Sequence, residues 1–253
     1  MRLVPLPRPQ TRGNRFRTII ALLGLPLILL TAVPGRGRAQ QRQSAARLLE
    51  EFRNTGIFWQ QFEVAKRVVA IRDASLLPQL ESWLSHEDRH LRGNVAFLFA
   101  ALGDRRGFDV ITATLNDRSD RREGQGTSGY RWSLQGQITA DRYYAVHLLG
   151  ELKDPSAVPA LVALLQDEQV NYKVAWALGE IGGEPAVRGL VEALDDKSPD
   201  VRVIAIESLG KLNAKETLPR LRQLLDDNER SHFGQLASVA DTARAVIARL
   251  EHP

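Results

Sequence analysis

Apolar and polar positions along this chain fall into two alternating stretches, and the pair recurs about every 30 residues. One stretch places apolar or small residues at Ala65, Ala96, Val146, Ala175 and Ile206, and again three positions later at Val68, Phe99, Leu149, Leu178 and Leu209. It closes at Ile71, Leu102, Leu152, Ile181 and Leu212. The second stretch reads Leu77, Leu80 and Leu84, with counterparts Phe108, Ile111, Leu115, then Val158, Leu161, Leu165, then Val187, Leu190, Leu194, then Leu218, Leu221, Leu225. Spacing of i, i+3, i+7 is the apolar stripe of an amphipathic helix. Each unit is therefore predicted to be two antiparallel helices joined by a tight link.

Helix-start chemistry supports the links. Asp154-Pro155 sets a side-chain acceptor before a proline at the first helical position, where the missing N–H costs nothing, and Ser198-Pro199 is expected to do the same for a first helix. Such a helical pair cannot bury its apolar face alone, so neighbouring units must stack. Five copies in register predict an all-α solenoid of about five helical hairpins, with second helices lining its concave face.

The run Leu149-Gly150-Glu151-Leu152 repeats as Leu178-Gly179-Glu180-Ile181 and Leu209-Gly210-Lys211-Leu212. Together with the following Asp-Pro and Ala157-Val158-Pro159-Ala160-Leu161, it resembles the short HEAT repeat of phycobilisome lyases. Ala145 to Leu161 carries the likeness best, and Val69 and Ala100 depart from it where glycine is expected. The resemblance implies an armadillo/HEAT-like superhelix over roughly Val64 to Leu250, and in that family it implies chromophore handling. HEAT-type hydroxylases are similar too, but hold two irons with several His-Glu pairs, whereas this chain has the single pair His86-Glu87.

The first 39 residues follow a different pattern. Arginines at 2, 8, 12, 15 and 17 precede the apolar run Thr18 to Val33, and Gly37-Arg38-Ala39 offers small residues for cleavage. This predicts a signal peptide over 1–39, with an uncleaved N-terminal anchor as the rival. An exported protein, periplasmic or secreted, is expected, membrane-bound only if the segment is retained. Charge then reads differently. The whole chain carries +4, but residues 1–39 hold seven arginines and no lysine or acid, so the remainder carries −3. A nucleic-acid partner is not expected. Residues 40–57 read as a polar leader and capping helix, 58–253 as the repeat domain, and Ser238 to Leu250 as a terminal helix.

Successive units are offset by 31, 50, 29 and 31 residues, which places an insertion at about 118–140. Its glycines argue against a continuing helix. Insertions in repeat arrays map to one face, and Tyr130, Arg131 and Trp132 are residue types that dominate interfaces. Arg188, Glu192, Arg220 and Gln223 on second helices are further candidate partner contacts. The chain has no cysteine, so thiolate catalysis and cysteine metal sites are excluded. His86 and His90 have metal-compatible i, i+4 spacing but sit at an inter-unit connection. The aspartates at 117, 167, 196 and 227, with arginines at 92, 142 and 202, suggest a structural ladder. His147 aligns with Lys66, Phe97, Trp176 and Glu207, a column without shared chemistry. No catalytic, cofactor or metal residues are expected. The sequence reads as a non-catalytic, exported scaffold or adaptor for an unidentified protein, with a bilin lyase-like or other small-ligand-handling protein, or a membrane-tethered adaptor, as the alternatives.

Overall fold

The computed structural model describes residues 34–119, 133–232 and 237–252. Every first helix is a continuous α-helix: α2 (Phe58–Ile71), α3 (Arg89–Ala101), α5 (Leu134–Leu152), α7 (Asn171–Ile181) and α9 (Pro199–Lys211). The second elements differ among themselves. Units two and four use the α-helices α4 (Arg105–Asn116) and α8 (Glu184–Ala193). Unit one instead has a 3-10 segment, Ala74–Ser85, with Pro78 inside. Units three and five have a short 3-10 turn followed by α6 (Val158–Val162) and α10 (Leu218–Arg222). Pro78, Pro159 and Pro219 stand at one repeat position, where units two and four carry Asp109 and Arg188. Proline removes a backbone donor and clashes with the preceding turn, which explains the break.

The links share one backbone device. Arg72, Lys153 and Asn213 have φ of 57°, 54° and 54°, and Gly103 and Gly182 have φ of 92° and 73°. These five occupy the same place after each first helix, so every unit turns through a left-handed residue. Three of the five second elements are then capped by Asp73, Asp104 and Asp154, whose carboxylates accept from backbone N–H groups two residues on. Ser198 departs from expectation: it holds the cap position of α9 without a side-chain bond, and Asp196 accepts from the Ser198 N–H instead at 2.8 Å.

Leu77, Leu80, Phe108, Ile111, Val158, Leu161, Leu190 and Leu221 are all buried in one continuous core. Successive first helices pack closely on one another, whereas among the described residues second elements meet closely only between α6 and α8. The first helices thus form the more closely packed, inner row, and the second helices, expected on the concave face, form the other. Glycines permit the close approach: a methyl at Gly179 would lie 2.4 Å from Ser208 Oγ, and one at Gly150 2.7 Å from the Trp176 ring.

The aspartate ladder ties one unit to the next. Arg142 donates to Asp167 at 2.5 Å and to Leu115 O at 2.8 Å, and Arg202 donates to Asp227 at 2.9 Å and Asp196 O at 2.7 Å. In unit two the partner of Asp117 is Arg89, at 2.9 Å, while Arg92 donates to the His86 carbonyl. Burial raises the Asp117 and Asp167 carboxyls, but hydrogen bonds from Ser119 and Arg89, and from Arg142, outweigh it and hold both below the usual range. The ends are closed by α1 (Pro34–Asn54), which buries Ala45, Leu49 and Phe52, and α11 (Val239–Glu251), which buries Val239, Ala243, Val246 and Leu250. The fold is an all-α solenoid.

Candidate functional site

The inner row presents a stripe of rings and charges. On α2 it is Phe58, Phe62 and Lys66; on α3, His90, Asn94 and Phe97; on α5, Tyr144, His147 and Glu151; on α7, Lys173, Trp176 and Glu180. Each triplet is spaced i, i+3 or i+4, and i+7 or i+8, so each shares one helix face. Stacking the helices turns the triplets into a continuous row of contacts, in which Phe62, Asn94, Phe97 and Tyr144 are buried and Phe58, His90, His147, Lys173 and Trp176 are half-buried. Phe58 stacks on His90 with centroids 4.4 Å apart and meets Tyr144 edge-on at 5.0 Å. Phe62 meets Phe97 at 4.9 Å and His147 at 5.4 Å, and His147 stacks on Trp176 at 5.1 Å. Lys173 Nζ lies 3.4 Å from the Trp176 centroid, in cation–π contact, and Lys66 lies 5.1 Å from that of Phe62.

A buried polar chain fixes the N-terminal half of this stripe. Tyr144 donates its hydroxyl to Asn94 Oδ1; Asn94 Nδ2 donates to Gln61 Oε1 and to Phe58 O, both at 2.8 Å; Gln61 donates to Phe52 O at 3.0 Å. Burial pushes the Tyr144 phenol well above its ordinary range. His147 is different: its Nδ1 is buried without a hydrogen-bond partner among the described residues. Burial, then the nearby ammonium groups of Lys173 and Lys66, push its pKa down to about 4, so the ring is neutral at neutral pH. Burial likewise lowers Lys173 to about 8, against the opposing pull of Glu151 and Glu180. The stripe can therefore offer flat apolar faces, a neutral imidazole and amines together.

The residues singled out from sequence lie elsewhere. Arg188 and Glu192 are exposed on α8, with Arg188 paired to Glu184 at 2.5 Å. Arg220 on α10 bonds to Gln223 and to Asp195. All four belong to second elements, and the structure does not bring them to the stripe. Tyr130, Arg131 and Trp132 lie outside the described residues. The far end of the expected insertion is helical, against the sequence expectation: Leu134 to Ala140 begins α5, and Ser133 caps it by accepting from Gly136 N–H at 3.1 Å. Beside it an open cleft of about 690 Å³ is lined by Arg118, Gln135, Arg142, Asp167 and Gln169. His86 and His90 diverge: His86 Nδ1 accepts from Asp88 N–H at 3.0 Å, while His90 stacks on Phe58. Among the described residues no group of three or more His, Asp or Glu side chains could hold a metal ion.

The signal for the stripe was present in the sequence as the column of Lys66, Phe97, His147, Trp176 and Glu207. Its members differ in type, so only stacking reveals that they are neighbours.

A family model for HEAT repeats matches residues 134–199 and 187–238. The chain is similar to phycocyanobilin lyase subunit alpha of Nostoc sp., 37% identical over 105 residues, covering 37% of this chain and 38% of that protein. It is similar to the bilin biosynthesis protein PecE of Nostoc sp., 30% identical over 145 residues, covering 56% of this chain and 53% of that protein. The solved complex of CpcE and CpcF of phycocyanin lyase from Nostoc sp. aligns with a TM-score of 0.46 at 21% identity, over 68% of this chain and 64% of that one. The chain spans between about a third and about half of the length of the curated relatives it matches. Relatives named as lyase subunits and bilin biosynthesis proteins overturn the expectation of a non-catalytic scaffold and of a protein that is not an enzyme. Repeat pattern and matches together show that the chain carries HEAT-like repeats similar to those of phycobilisome lyases.

Proposed function

We propose that this chain handles an open-chain tetrapyrrole, a bilin, and acts in a lyase-type reaction on it together with a second protein. The observation that carries this is the inner stripe, where the half-buried rings of His147 and Trp176 stack with Lys173 beside them and the buried Phe62 ring packs edge-on behind His147. A bilin is a long conjugated molecule with two carboxylates, and its chemistry complements that stripe. Its faces would stack on the rings, with ring contacts worth about 0.5–1.5 kcal/mol each beyond the area they bury. The Lys173 amine would meet one of its carboxylates, and the neutral His147 ring would lie against the conjugated system. With no cysteine in the chain, the pigment would be held without a thioether to this protein.

The relatives' names support the reading, since they include a lyase subunit and a bilin biosynthesis protein. The word "subunit" in those names supports a protein partner for the reaction.

The test is a visible-absorbance titration of the purified chain with biliverdin, repeated with Trp176→Ala and with Arg188→Ala as a control on the outer row. A red or intensity shift that saturates, is weakened about tenfold or more by Trp176→Ala and is unchanged by Arg188→Ala is the expected result. No spectral change with the wild-type chain removes the proposal.

A further inference from the structure

Among the described residues of the stripe, Lys173 is the one cation without an ion pair, and Glu151 the one unpaired carboxylate. Lys66 pairs with Glu63 at 2.7 Å, and Glu180 takes both Lys211 and Lys153, the latter at 3.5 Å. Among the described residues, no carboxylate lies within 4.0 Å of Lys173. Its Nζ rests instead on the Trp176 ring at 3.4 Å, with the Tyr143 ring 5.3 Å away. Glu151 and Glu180 act on it through space but stand beyond pairing distance, and Glu180 is already engaged twice.

Lys173 is half-buried, on the inner row, one helical turn before Trp176. An ammonium drawn partly out of water without a carboxylate is incompletely compensated, and the aromatic face replaces only part of what water supplied. A carboxylate arriving from outside would complete it. The four-carbon stem lets the amine leave the indole face and follow an incoming group, which would free that face for stacking.

We propose that Lys173 is the carboxylate-docking residue of the inner stripe, pairing with one propionate of a bilin whose conjugated system stacks on His147 and Trp176. The inference rests on the bilin reading above and adds to it the orientation of the ligand: one carboxylate is fixed at α7, with the pigment running back toward Phe62 on α2. The paired Lys66 does not serve this role, because Glu63 already neutralises it.

The experiment compares biliverdin with biliverdin dimethyl ester, which has the same conjugated system and no carboxylate. Both are titrated into the full chain, into Lys173→Met, Lys173→Arg and Lys66→Met, with melting curves recorded first to establish that each variant is folded. The wild-type chain is expected to bind the acid about tenfold more tightly than the ester, the size of one hydrogen-bonded charge pair. Lys173→Met should abolish that preference while leaving ester affinity unchanged. Lys173→Arg should keep the preference, as should Lys66→Met. An acid preference that survives in Lys173→Met, or a wild-type chain that binds acid and ester equally, overturns the docking role while the bilin reading stands. A wild-type chain that binds neither compound overturns the bilin reading and this inference with it.

Discussion

His147 is the residue whose environment departs furthest from its ordinary one while remaining chemically useful. It is flanked by Phe62, Tyr144 and Trp176, faced by Lys66 and Glu63 from α2 and by Lys173 and Glu180 from α7, and its Nδ1 is unsatisfied. A pKa of about 4 against an ordinary 6.5 means the unfolded chain takes up this proton at a higher pH than the folded one. Stability is then fully present above the ordinary value and is lost as pH falls from about 6.5 toward about 4. His147→Gln should remove that part of the loss. Melting temperatures measured from pH 7 to pH 4 should fall less steeply for the variant, and parallel curves would show that the histidine is not buried as described. Asp117 and Asp167, whose carboxyls are held low by hydrogen bonds, contribute a separate loss that begins as pH falls through the ordinary carboxylate range.

At the scale of elements, the repeat tolerates large variation in its second helix and almost none in its link. Proline at one repeat position turns three of the five second elements into 3-10 segments or short helices, yet Leu80, Leu161 and Leu221 within them remain buried. The left-handed residue after each first helix is kept in all five units, although only Gly103 and Gly182 are glycine. A side chain in that conformation costs roughly 1 kcal/mol, which glycine avoids. Arg72 is exposed at this position with φ of 57°. Arg72→Gly is therefore expected to stabilise the protein by about 0.5–1 kcal/mol, read as a rise in the denaturation midpoint at unchanged slope. A lower midpoint would mean that the Arg72 side chain contributes packing that outweighs the backbone gain.

For the whole molecule, helix packing decides which residues can act together. One row of five first helices, packed more closely than the second elements, gathers side chains from α2 to α7 on one face. The polar helices α1 and α11 close the two ends. Residues 1–33 lie outside the described structure, and α1 runs without interruption through Ala39 and Gln40. We propose that the chain is exported and cleaved after Ala39. The described buried side chains of α1 begin at Ala45, so such cleavage spares the cap. N-terminal sequencing of the protein recovered from cells should find a start near Gln40. A start at Met1 would show that the segment is retained.

The sequence by itself determined the repeat, its period and its buried columns, because the core of a solenoid depends on apolar spacing within each short unit. Leu77, Ile111, Leu161 and Leu190 were placed in the core from spacing alone, and they are buried. Tertiary structure decided which row packs more closely, and spacing within one unit carries no information on packing between units. It also assembled the stripe. Phe62, Tyr144, His147 and Trp176 come from three helices separated by the 50-residue step and differ in residue type at each repeat position. A functional surface needs varied chemistry at equivalent positions, so it leaves no periodic trace, whereas a core needs the same chemistry in every unit and leaves a strong one.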